Sequence, residues 1–73
     1  MEFSDIKKGD KFLIAPNDYF MEILNLITEK DQLKGFSVRV HSPDNEVFID
    51  ELTQDKFKSI ENHLFKLPEV KEG

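Results

Sequence analysis

A chain of 73 residues with a net charge of −5 and no cysteine leaves few routes to stability or to chemistry. One domain of this size buries only about 60% of its unfolded surface, and without cysteine it has neither a disulfide nor a thiolate metal site as a staple. The acidic balance disfavours nucleic acid, whose phosphates call for concentrated Lys and Arg. No run approaches the roughly 20 apolar residues of a membrane span. Met1 to Asp5 is acidic with no apolar run behind it, so a signal peptide is not expected and a cytoplasmic location is the default.

Phe3 to Asp10 reads as a lead-in that ends in the turn dipeptide Gly9-Asp10. Residues 11–15 follow as a short strand with Phe12 and Ile14 on one face. Pro16-Asn17-Asp18 ends it, because proline cannot donate to a ladder and Asn and Asp favour turns.

Tyr19 to Lys34 admits two readings. As a helix it places Tyr19, Phe20, Ile23, Leu24, Leu26 and Ile27 on one arc, with Asn17 or Asp18 as cap and Gly35 past the end. The arc then runs into Lys30, Asp31 and Lys34, so the amphipathic part stops at Ile27, shorter than the usual 10–14 residues or so. As a strand over 19–28, Met21, Ile23 and Ile27 share one face and Phe20, Leu24 and Leu26 the other, with Lys30-Asp31-Gln32 as a polar hairpin tip. The strand is preferred.

Phe36 to Leu52 carries the plainest hairpin pattern. Residues 36–41 and 46–51 alternate with period two around Ser42-Pro43-Asp44-Asn45, a type I turn signature. A four-residue loop pairs His41 with Glu46, Val40 with Val47, Arg39 with Phe48, Val38 with Ile49 and Ser37 with Asp50. One face is then aliphatic, and the other gathers Arg39, Phe48, His41 and Glu46, each cross-strand pair being worth about 0.2–1 kcal/mol. A bulge at Asn45 would instead pair Val38 with Asp50 and Arg39 with Ile49, mixing the faces, so the unbulged register is expected.

A C-terminal helix over 53–66 is expected from the Thr53 cap, Asp55 at the positive end of the dipole, a Leu52–Phe57 staple and the Phe57, Ile60, Leu64 stripe. Pro68 ends it. Residues 1–67 are expected to form a single domain and 68–73 a disordered tail.

No constellation points to catalysis, a metal or a cofactor. The acids Asp44, Glu46, Asp50, Glu51 and Asp55 lack the central glycine and ligand offsets of a calcium loop. His41 and His63 have no nucleophile beside them, and Gly9, Gly35 and Gly73 are too scattered for a phosphate loop. Seven Phe and one Tyr are the surplus. Phe12, Phe36 and Phe57 are core candidates, whereas Phe48 and Phe65 either mark a binding surface or pack under the lead-in or the tail.

Through Ile6, Gly9, Asp10 and Phe12, and the meander from Tyr19 to Ile49, the chain resembles the small SH3-like barrels of short bacterial and phage proteins. The resemblance implies a mainly β, four-stranded antiparallel meander or barrel with one C-terminal helix, and a binding module rather than an enzyme. The alternative order is β-α-β-β-α, with 18–33 helical. The sequence departs from the nucleic-acid-binding members in being acidic. The expected role is protein–protein interaction through Arg39, Phe48, His41 and Glu46 or a strand edge. A nucleic-acid-associated module using Lys7, Lys8, Lys11, Lys30 and Lys34 is the alternative.

Overall fold

The computed structural model describes residues 1–68. Its strands are β1 (Lys11–Ile14), β2 (Tyr19–Glu29), β3 (Gln32–His41), β4 (Val47–Thr53) and β5 (Leu64–Lys66), with the helix α1 at Gln54–Ile60. All five strands join one antiparallel sheet in the order β4-β3-β2-β1-β5. The expected mainly β fold with one C-terminal helix is present, but the sheet is open and five-stranded, not a closed four-stranded barrel. Its edges are β4 and β5.

Tyr19–Glu29 is a strand, not a helix. A helix there would have carried charge into its apolar arc beyond Ile27, whereas the strand pairs with β1 on one side and β3 on the other. Met21 and Ile23 enter the core and Phe20 points to the opposite face. The simple alternation holds only to Leu24, where the register shifts; past it Leu26 pairs with Phe36 and Ile27 with Gly35, so the two change sides relative to expectation. The strand turns into β3 through Lys30 and Asp31, both left-handed (φ 51° and 62°), as a two-residue primed hairpin turn requires.

The β3–β4 register is the one the sequence argued against. Val40 pairs with Phe48, Arg39 with Ile49, Val38 with Asp50 and His41 with Val47. Asn45 takes φ 66°, its N–H donates to the Ser42 carbonyl (3.0 Å), and Ser42 N–H donates to the Glu46 carbonyl (2.8 Å). A type I turn followed by a left-handed residue closes hairpins with one extra residue in the loop, and Asn adopts that conformation at low cost. The shifted register also satisfies the core, because Phe36 meets Leu52 and both are buried.

The helix is half the expected length. Thr53 caps it, its Oγ1 accepting the Lys56 N–H (3.2 Å), and Leu52 and Phe57 are both in the core as a staple would place them. Beyond Ile60 the chain makes a 3-10 turn at Glu61–His63 and becomes β5. Leu64 faces the core in either reading; what decides is the far edge of β1, whose backbone groups need partners. Ala15 N–H donates to the His63 carbonyl (2.9 Å) and Leu67 N–H to that of Lys11 (2.8 Å), extending the β1–β5 ladder at both ends.

The core lies on one face of the sheet, under α1 and the lead-in. Phe12, Phe36 and Phe57 are buried as expected. Phe3, in a 3-10 turn at Phe3–Asp5, closes the core edge-to-face against Phe36 and Phe57 at centroid distances of 5.1 and 5.4 Å. Of the expected 68–73 tail, only Pro68 lies within the described residues.

Candidate interaction surface on the outer face and free edge of the sheet

Directly paired residues share a face, so the pairings place the outer side chains in rows. One row crosses the whole sheet: Phe65 on β5, Leu13 on β1, Phe20 on β2, His41 on β3 and Val47 on β4. The His41 ring stands edge-on to Phe20 at 5.3 Å. Phe65 and Val47, at the two ends, are 55% and 54% exposed. The neighbouring row is Lys11, Glu22, Arg39 and Ile49, with Arg39 Nη1 bonded to Glu22 Oε1 at 3.0 Å and Ile49 63% exposed.

The four residues expected to form one site are thereby divided. Arg39 and His41 are on the outer face, but Arg39 meets Glu22 and Ile49 in place of Phe48, and His41 meets Phe20 and Val47 in place of Glu46. Glu46 belongs to the turn. Phe48 is on the inner face, 42% exposed. Val47 and Ile49, expected in the core, are among the most exposed apolar side chains. The signal that finds this arrangement is Asn45, the turn residue most tolerant of a left-handed backbone. The lysines of the alternative reading are spread out: Lys7 and Lys8 in the turn before β1, Lys11 opposite Glu22, and Lys30 and Lys34 around the β2–β3 turn. Signs alternate along the Lys11–Glu22–Arg39 row, which is not the basic stripe that phosphates select.

Phe48 walls a groove of about 180 Å³ on the inner face, between α1 and the β3–β4 hairpin. Met21, Val38 and Val40 line it with Tyr19 and Ile60. It is smaller than the roughly 300–1,000 Å³ of small-molecule sites. Asp50 and Lys56 also line it and bridge β4 to α1, with Lys56 Nζ 3.0 Å from Asp50 Oδ2. The Glu51 N–H, donating to Asp50 Oδ1 (2.7 Å), and then the Lys56 ammonium hold the Asp50 carboxyl below its ordinary value.

The backbone of β4 completes the surface. Because Ser42 and Glu46 form a hydrogen-bonded pair, alternation along an antiparallel ladder turns Phe48, Asp50 and Leu52 toward β3. It turns the N–H and C=O groups of Val47, Ile49 and Glu51 to the open edge. At Glu51 these are already engaged, the N–H by Asp50 and the C=O by Lys56 Nζ (3.4 Å). Those of Val47 and Ile49 have no partner among the described residues.

One carboxylate among the described residues is buried, that of Asp10. Its Oδ2 accepts the Lys7 N–H at 2.9 Å and lies 3.7 Å from Lys66 Nζ, which fixes the turn into β1. No group of three or more potential metal ligands occurs among the described residues, and no described helix is long and apolar enough to cross a membrane. Comparison of the chain with protein-family models, curated proteins and solved structures gives no match.

Proposed function

We propose that this chain is a small, non-catalytic module that binds another protein through the outer face of its sheet. The observation that carries the reading is the row from Phe65 through Leu13 and Phe20 to Val47, which crosses five strands with no element among the described residues packed over it. Large apolar side chains left in a connected strip on a small domain mark an interaction surface more often than a defect. His41 stands within the strip, its ring edge-on to Phe20, and Arg39 in the neighbouring row borders it with the charged group of an interface rim.

The test is capture from a lysate of the source cell by the parent protein and by a Leu13→Ser/Phe65→Ser double variant, with Arg39→Ala and Phe48→Ala beside it. The double variant is expected to stay folded and to lose the captured protein, Arg39→Ala to weaken capture, and Phe48→Ala, on the other face, to retain it. An unchanged captured set for the folded double variant would overturn the reading.

A further inference from the structure

Resting on that reading, we infer that the partner contributes an extended segment that adds as a sixth strand along β4, with apolar residues alternating and a basic residue at each end. The edge is open where it is most apolar. Val47 and Ile49 present N–H and C=O groups that are unpaired among the described residues, in the plane of the sheet, and half-exposed or more exposed side chains on its outer face. A strand laid beside them gains main-chain hydrogen bonds and sets its alternate side chains against these two, lengthening the outer apolar strip by one strand.

Charge selects the occupant. Asp44 and Glu46 stand at the turn end of β4 and Glu51 at its other end, all three exposed and without an ion-pair partner among the described residues. Asp50, by contrast, is neutralised by Lys56. A segment with Lys or Arg at both ends meets acid at both ends. A second copy of this chain does not fit: antiparallel pairing of two β4 edges would lay the Asp44 and Glu46 end of one along the Glu51 end of the other, between chains each at −5. Such charged residues are how natural edges resist self-pairing, and here they leave the middle of the edge open to a basic strand.

The experiment titrates the 15N-labelled full chain with the peptide Lys-Thr-Ile-Thr-Val-Thr-Lys and with its counterpart carrying Glu at both ends. The expected result is a shift and slowed exchange of the Val47 and Ile49 amides with the Lys-ended peptide, and about tenfold weaker binding of the Glu-ended one. Ile49→Pro removes an N–H that β3 does not use, so the fold should persist and binding vanish. Glu51→Lys, which leaves the backbone intact, should shift preference toward the Glu-ended peptide. Equal binding of the two peptides, shifts confined to other strands, or a concentration-dependent dimer in sedimentation that Ile49→Pro abolishes would each overturn the inference. Loss of capture by the Leu13→Ser/Phe65→Ser variant would still stand in that case, separating failure at the edge from failure of the binding role.

Discussion

On the inner face of the sheet Phe12, Phe36, Ile23 and Leu52 are fully buried, while on the outer face Leu13, Phe20, Val47 and Ile49 stand at the same alternating spacing with no element among the described residues over them. The residue types are alike; the difference lies in what crosses each face. The inner one receives α1, Phe3 of the lead-in and Ile6, and so becomes the core. Among the described residues, α1 and the lead-in cover one side of the five-stranded sheet and no further element is left for the other. Inner-face residues should therefore govern stability and outer-face residues association.

The largest break in that contrast is expected from Phe36→Ala. Phe36 is 0% exposed and its ring packs on Phe3, so truncation should cost about 3–5 kcal/mol. That is most of the stability of a small domain, typically at the low end of about 5–15 kcal/mol. Urea denaturation followed by far-UV circular dichroism should show a population already unfolded without denaturant. A midpoint near that of the parent would mean the inner face is not the core.

Gly35→Ala comes next. A Cβ there would lie 2.6 Å from the Leu52 carbonyl oxygen, a backbone atom that cannot swing aside. Strand β4 must shift, at a cost of about 1–3 kcal/mol. The amide shifts that report the change should concentrate at Leu52 and Thr53, and a change spread evenly over the sheet would contradict the close approach.

A smaller effect is expected from the Asp50–Lys56 pair, which ties β4 to α1. Because folding depresses the Asp50 pKa, its stabilisation is present above the ordinary carboxylate value of about 3.9 and is lost as pH falls through the lowered one. Both partners are about half exposed, so the contribution should stay below about 1 kcal/mol after solvent screening. Stability of Asp50→Asn relative to the parent should converge as pH drops from 6 toward about 2; a gap that stays constant would assign the effect to packing. The smallest change belongs to the outer face, where Phe65→Ser should move stability by no more than about 0.5 kcal/mol in the same urea assay.

Much of the fold is legible along the chain because its determinants are local. Period-two runs mark β1 to β4, Thr53 caps α1, Gly9-Asp10 and Lys30-Asp31 turn where turn formers cluster, and Phe12, Phe36 and Phe57 are recognisable as core. The candidate surface is less legible. Arg39 and His41 were placeable on a polar face, but Phe48 and Ile49 change sides with a single residue of register, and Asn45 sets that register by the sign of one dihedral angle.

Composition and local pattern are enough for a mainly β, acidic chain with one helix capped at Thr53 and more apolar side chains than one core can hold. Long-range contacts set where pairing partners come from and where α1 stops. Residues 64–66 are strand because β1 has an open side to fill, and Val47 and Ile49 are exposed because the Asn45 bulge turns them away from Val38 and Val40. Both outcomes depend on contacts between distant segments, and an apolar residue at a given position carries no mark of which face will meet them.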